Sequence, residues 1–156
     1  PAMVADRRCD IVMTNGSLGV LLDGVAPELL QPPANAMRIA LHPRGMAPRI
    51  LNLAELSGHL LHALRRRAEA EGDAELQALH DELAAFPGVD TTTPAGGATA
   101  GVVVPLRLRA PAGGELTFLS TTSRFGTALD VTLAGLWVEA FYPADDATAE
   151  ALRAAG

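Results

Sequence analysis

The chain has 156 residues, of which 49% are hydrophobic and only 19% are charged, and its net charge at pH 7 is −6. This length is usual for one domain, and the apolar fraction is sufficient for a sizeable core. All twelve basic residues are arginine, and the acidic balance argues against direct binding of nucleic acid, which needs clustered positive charge.

The cysteine count and the hydropathy argue against a disulfide-bonded protein and against a membrane-spanning protein. The only cysteine is Cys9, which excludes an internal disulfide and favours a buried thiol over a redox sensor. The apolar runs are shorter than the ~18–20 residues of a membrane span, and the first residues do not resemble a signal peptide. We therefore expect a cytoplasmic protein with no membrane partner. The chain begins at Pro1, so we expect a fragment of a longer protein.

The first third of the chain predicts a β-hairpin followed by short helices. Apolar runs over 2–5 and 9–13 flank a polar turn over 6–8, which is typical of two paired strands. Asn15 precedes apolar residues at helical spacing, so it predicts a capped helix that buries Leu18, Leu21, Leu22 and Val25. After Pro32-Pro33 a short helix is expected over 36–41, and a proline-rich connector follows over 42–48.

The middle of the chain predicts a helical hairpin. Asn52 and Glu55 have the spacing of a capping box, and Gly72 is a helix stop. The apolar stripe of this helix is Leu53, Leu56, Leu60 and Leu64. Asp73 caps a second helix that ends at Pro87-Gly88, with a stripe formed by Leu76, Leu79, Leu83 and Phe86. Residues 89–101 have low complexity and predict a surface loop.

The last third has a period of two, which predicts strands over 102–109, 115–122 and 132–142 and a closing helix from about Asp145. The resulting order is ββα, helical insert, βββ, α, which is an antiparallel α+β plan. The final strand is apolar on both faces, so we expect a central strand that is covered twice. Glu139 interrupts one face and requires a partner or solvent.

Motifs of catalysis are missing. The sequence has no nucleophile elbow, no HExxH helix, no P-loop and no GxGxxG turn, so we expect no enzyme. Glu55, His59 and His62 have the spacing of metal ligands on one helix, but this face points away from the leucine stripe and predicts solvated side chains. We therefore expect no metal and no cofactor.

Two clusters could hold the polar head of a ligand. His42, Arg44 and Arg49 lie on the proline-rich connector and could bind a carboxylate, or could be ordinary surface residues. Arg107, Arg124 and the hydroxyls of 120–123 form a second cluster, although threonine also favours strands for its own sake. Asn52 belongs to the first cluster unless it serves only as a helix cap.

Five stretches together resemble one protein family. They are PAMVADRRCDIVMTN, VAPELLQPPANAMRIALHPRGMAPRILNLAEL, LAAFPGV, VVVPLRLR and GELTFLSTTSRFGTALDVTLAGLWVEAFYPADDATAEAL. They are similar to the ligand-binding domain of MmyB-like transcription regulators, in family order and over nearly the whole chain. The patterns HPxGxxPRxxN and FGTxLDVTLAxLxxExFxPAD are the most specific. One departure is Cys9, where we expect an aromatic residue in the second strand.

The resemblance implies a single PAS-like ligand-sensing domain over 1–156, with an antiparallel sheet, flanking helices and a helical-hairpin insert. It implies an XRE-type bacterial regulator in which a separate N-terminal helix-turn-helix domain binds DNA, and a fatty-acid-like apolar ligand that modulates that binding. Our candidate ligand contacts are His42, Arg49, Asn52, Arg107, Thr122, Phe118, Leu136, Trp137 and Phe141.

Two other readings stay open. The domain could be a ligand-free module that only forms a homodimer through the second apolar face of the last strand. It could also be a small hydrolase that uses His42 as a general base.

Overall fold

The structure, a computed structural model, describes residues 1–92, 104–111, 113–124 and 135–155. Within these residues it has five strands and five α-helices, which confirms the predicted α+β class. The strands are β1 (Ala2–Ala5), β2 (Ile11–Thr14), β3 (Leu106–Arg109), β4 (Glu115–Arg124) and β5 (Trp137–Pro143). The helices are α1 (Gly19–Leu22), α2 (Ala36–Leu41), α3 (Leu53–Glu71), α4 (Ala74–Ala84) and α5 (Asp146–Ala155). Short 3₁₀ turns cover Gly16–Leu18, Pro27–Leu30 and Ala47–Arg49.

The strands form one antiparallel sheet in the order β2-β1-β5-β4-β3, which curls into a half-barrel. The last strand therefore lies in the centre, as its two apolar faces predict. Val138 pairs with Val4 of β1 on one side and with Ser123 of β4 on the other. The predicted PAS-like arrangement, with the helical segment inserted between β2 and β3, is confirmed.

The two faces of the sheet differ in what covers them. On the inner face, Met3, Leu108 and Phe118 are buried in a core that also contains Leu21 and Ile39 from the helices. The outer face carries the alternate residues of each strand, because successive side chains point to opposite sides. Helices α1, α2 and α3 face the inner side of the sheet, and α5 contacts β4 and β5 and packs Ala151 and Leu152 against the same core.

The helical hairpin forms as the sequence predicts. Gly72 ends α3 in the left-handed conformation at φ 64°, and the Asp73 side chain accepts from the first backbone N–H groups of α4. Leu61 and Leu83 belong to a second buried cluster between α3 and α4, which also contacts α2 through Leu41. The hairpin thus has a core of its own beside that of the sheet.

Two predicted caps act differently. The side chain of Asn52 makes no capping bond; instead it donates to Pro105 O at 2.9 Å and accepts from Arg107 N at 3.3 Å. Asn15 is the N-cap residue of the 3₁₀ turn Gly16–Leu18, but its side chain accepts from Ala2 N at 2.9 Å and makes no capping bond. In both cases a neighbouring strand offers the asparagine backbone partners that compete with the helix end. Asn15 and Asn52 thus stand at the helix starts as predicted, but the predicted capping bonds of their side chains are wrong.

Some boundaries also differ. The helix predicted after Asn15 is only one 3₁₀ turn and the single turn of α1, since Gly16 and Gly19 lower helix propensity. The fourth predicted strand continues to Arg124, and the last one begins at Trp137. The predicted strand start at 132–134 and most of the predicted loop over 89–101 lie outside the described residues.

Candidate functional site

A cavity of about 400 Å³ lies between the inner face of the sheet and helices α1, α2 and α3. This volume is within the range of small-molecule sites, which are mostly apolar with a few placed polar groups. Most of its lining is aliphatic or aromatic, including Leu18, Leu21, Met37, Ile39, Leu60 and Phe141. The cavity therefore has the composition of a binding site for an apolar molecule.

One face of α3 forms the longest wall of this cavity. Leu56, Leu60, Ala63 and Arg67 line it at intervals of three or four residues, which places them along one side of a helix. The first three make this wall apolar, and the last gives it one charged end. The wall follows the leucine stripe that the sequence predicts, but it includes His59, whose exposed side chain also reaches the lining.

The sheet wall carries most of the polar groups. Alternate residues of β4 line the cavity, namely Ser120, Thr122 and Arg124, and so do the alternate residues Trp137, Glu139 and Phe141 of β5. Because the two strands pair with Ser120 opposite Phe141 and Thr122 opposite Glu139, these side chains stand next to one another. The cavity is thus apolar on its helical side and partly polar on its sheet side.

Glu139 is the acidic group of the sheet wall. Burial raises the pKa of its carboxyl group, while a hydrogen bond with the Ser120 side chain acts in the opposite direction. Desolvation disfavours the ionised form, so the protonated carboxyl group is favoured to a higher pH than usual. A protonated carboxyl group can donate as well as accept a hydrogen bond.

Arginine side chains mark one end of the cavity. Arg67 and Arg124 line it and also line a neighbouring polar pocket, together with Arg7, Glu71 and Trp137. The Arg67 guanidinium is paired with Glu71 at 3.2 Å. Within the residues that the structure describes, Arg124 has no ion-pair partner. This end of the cavity can therefore accept an anionic group.

Cys9 lines the same end of the cavity. It lies in the turn before β2 at φ 67°, and not in the second strand as predicted. Its side chain is buried, and burial raises the pKa of the thiol despite the nearby Arg67 guanidinium. A raised pKa lowers the fraction of reactive thiolate, so the geometry favours a packing role.

The predicted ligand contacts divide into two groups. Thr122, Trp137 and Phe141 line the cavity. Phe118 is fully buried in the core beneath it, and Leu136 lines the neighbouring polar pocket. The Trp137 indole also donates to Asp6 O at 2.8 Å, which fixes the orientation of this aromatic wall.

The predicted head-group residues lie outside the cavity lining. Arg49 donates to the carbonyl oxygens of Leu21, Asp23 and Arg109. The His42 ring packs edge-on against Phe86 at 5.0 Å between centroids, and its Nδ1 accepts from Arg44 N. Arg107 forms an ion pair with Glu115 on the far side of the sheet. Together with the backbone bonds of Asn52, these contacts give each of the four side chains a partner within the fold. Among the described residues, Arg49 Nη2 is nevertheless buried without a hydrogen-bond partner.

Sequence reasoning did not select Arg67 and Glu139 as site residues. Arg67 continues the helical spacing of Leu56, Leu60 and Ala63, and this signal could have identified it. Glu139 interrupts the apolar inner face of β5, and that interruption marks the polar wall. In the described part of the chain, no group of three or more histidine, cysteine or acidic side chains is close enough to hold a metal ion. Glu55, His59 and His62 therefore do not form such a group.

Comparison with known protein families gives one match. A family model described as the MmyB-like transcription regulator ligand binding domain covers residues 1–155. No curated protein and no solved structure matches the chain. Among the described helices, none combines the length and the hydropathy that crossing a bilayer requires.

Proposed function

The chain belongs to the family of MmyB-like transcription regulator ligand-binding domains, and we propose that its cavity binds an apolar, fatty-acid-like molecule that modulates DNA binding by the regulator. The observation that carries this proposal is the cavity of about 400 Å³ between sheet and helices, with its largely apolar lining. The net charge of −6 disfavours binding of this segment to the phosphate backbone of DNA. We place DNA binding in another segment, the XRE-type helix-turn-helix domain that the resemblance implies, and the regulator in the cytoplasm.

We place the polar head of the ligand at the arginine end of the cavity. Guanidinium groups bind carboxylates through paired hydrogen bonds, and Arg67 and Arg124 are the arginines in the lining. The apolar tail then extends along α1, α2 and α3. This position replaces the connector residues His42 and Arg49 as head-group contacts. Thr122, Trp137 and Phe141 remain proposed ligand contacts.

Helix α3 is the element through which binding acts on the rest of the domain. Leu64 lines the cavity and also belongs to the second core between α3 and α4. A ligand that fits one position of α3 better than another shifts the population toward that position. The differential affinity sets the size of the shift, and the helical hairpin transmits it.

Thermal unfolding with dodecanoic and hexadecanoic acids tests the proposal. A ligand at 100 times its Kd stabilises by about 2.7 kcal/mol, which raises the Tm of a domain of this size by about 5–10 °C. We expect this rise for the wild-type chain and its loss in Ala63→Trp, because the indole fills the cavity. Ala54→Trp, on the opposite side of α3 and outside the cavity lining, is the matched control. Unchanged Tm values with every acid would remove the lipid version of the proposal.

The outer face of the sheet supports a second candidate function, dimerisation. Val12, Met13, Leu119 and Tyr142 are exposed there by 54%, 65%, 42% and 54%. The described residues that β1, β2 and β5 present on this face include no charged side chain. A second copy could cover it without placing like charges together, which matters for an acidic chain. In this reading the domain joins two regulators, with or without a ligand.

A further inference from the structure

The polar groups of the cavity are arranged as a strip. Ser120, Thr122 and Glu139, which we call the polar strip, lie on adjacent strands in the middle of the sheet wall. Thr122 pairs directly with Glu139, and the Ser120 side chain is close enough to the Glu139 carboxyl group to act against the rise in its pKa. Across the cavity, α1 and α2 present apolar side chains such as Leu21 and Met37.

A purely hydrocarbon ligand does not suit this strip. Within the described residues, Ser120 is the one polar side chain that acts on the Glu139 carboxyl group, and the Thr122 hydroxyl has no hydrogen-bond partner. A saturated chain packed over them would remove water without offering a replacement. A buried polar group that is left without a hydrogen bond disfavours binding. The polar strip therefore lowers the affinity for a plain hydrocarbon chain and raises the affinity for a chain that carries a hydrogen-bonding group.

We propose that the ligand carries an oxygen function, a hydroxyl or carbonyl group, partway along its chain, and that Glu139 selects for it. The inference rests on the proposed function and names the chemical class of the molecule bound at that site. The Glu139 carboxyl group can accept a hydrogen bond from a ligand hydroxyl group, and in its protonated form it can also donate to a ligand oxygen. The Thr122 hydroxyl can accept from a ligand hydroxyl group or donate to a carbonyl group.

The spacing within the sheet restricts where this oxygen lies. Arg124 pairs with Trp137, and the Thr122–Glu139 pair is two residues further along the strands. At about 3.3 Å per residue, the two positions are about 7 Å apart. A carboxylate at Arg124 and an oxygen at Glu139 are thus separated by several carbon atoms. A hydroxyl group next to the carboxylate would fall short of Glu139.

Calorimetric titration of the wild-type chain with matched acids tests this inference. The probes are dodecanoic acid and three dodecanoic acids that carry one hydroxyl group near the carboxylate, at mid-chain or at the terminus. We expect the mid-chain isomer to bind about tenfold more tightly than dodecanoic acid, which corresponds to one additional satisfied hydrogen bond. In Glu139→Leu we expect dodecanoic acid to bind at least as well as the mid-chain isomer.

Two further variants separate recognition from folding. Glu139→Gln keeps a donor at this position and should retain part of the preference. Thr122→Val should reduce the preference, whereas Thr121→Val on the outer face should not. Equal affinity of the wild-type chain for all four acids would overturn the inference, as would a preference that survives in Glu139→Leu. If none of the acids binds the wild-type chain, the proposed function fails and this inference fails with it.

Discussion

The polar side chains of this protein are of two kinds: some form hydrogen bonds that stabilise the fold, and others face the cavity. Asn35 is 4% exposed, and its side chain caps α2 while donating to Arg8 O and Asp10 Oδ1. Arg49 similarly connects the end of α1 to β3 through backbone carbonyl oxygens. Both residues bind backbone groups within the protein, whereas Glu139 lines the cavity.

Because burial raises its pKa, Glu139 makes stability depend on pH. The folded state holds this proton more tightly than the unfolded state does. The stability that this group contributes is therefore fully present below the ordinary glutamate pKa of about 4.3, and it is lost as the pH rises through the higher folded value. The other titratable or charged groups lining the same cavity are His59 and Arg67 on α3, Arg124 on β4, and Cys9.

Glu139→Gln should remove this dependence. We expect the Tm of the variant, measured relative to the wild-type chain, to increase between pH 5 and pH 8, since the amide stays uncharged throughout. Glu150→Gln, at an exposed position of α5, serves as the control and should show no such trend. A constant difference between Glu139→Gln and the wild-type chain across this range would contradict the expectation.

The individual elements were largely predictable from the sequence, because their signals are local. Each signal acts within a few residues of the chain. Examples are the apolar stripes and the end signals of α3 and α4, the prolines around α2 and the period of two in β3. The side chains of Asn15 and Asn52 make no capping bonds because their partners, Ala2 and Pro105, come from strands that the local pattern does not bring together. Tertiary pairing overrode a correct local preference.

Gly45 lies in the connector after α2, at a position where the backbone leaves no room for a side chain. A Cβ atom at this position would lie 2.2 Å from Ile39 O, which is a backbone atom and cannot turn aside. Met46 N donates to the same oxygen at 2.8 Å, so the backbone is held in place there. We expect Gly45→Ala to lower the free energy of unfolding by about 1–3 kcal/mol.

Gly16→Ala is the matched control for this substitution, since nothing lies within 4 Å of the added Cβ atom. Chemical denaturation should show a change below about 0.5 kcal/mol for Gly16→Ala. Equal midpoints for the two variants would show that the connector tolerates the displacement of its backbone.

At the scale of the whole molecule, the sheet has one face in the core and one face with exposed apolar side chains. If two copies pair through the outer face, a charge placed there should separate them. We expect Leu119→Arg to shift the chain to the monomer in sedimentation experiments, because an arginine would be buried without a partner. Leu30→Arg, at an exposed leucine of a 3₁₀ turn, should leave the distribution unchanged. A wild-type chain that is monomeric at every concentration would exclude this interface.

The site was less predictable than the fold. His42, Arg49 and Asn52 are close in sequence, and a short polar connector is a reasonable source of ligand contacts. The cavity, however, is assembled from residues far apart in the chain, such as Arg67 on α3 and Glu139 on β5. No local sequence pattern predicts that these two side chains line the same cavity. The strand pairing and the curvature of the sheet bring them together.

The cavity of about 400 Å³ also has a consequence for the lifetime of the protein in the cell. Core volume that side chains do not fill reduces dispersion contacts and lowers the stability of the domain. A molecule that occupies this volume reduces the fraction of unfolded chains that proteases can degrade. The abundance of the regulator would then rise with the concentration of its ligand, and a cell could read that concentration from the amount of protein as well as from its conformation.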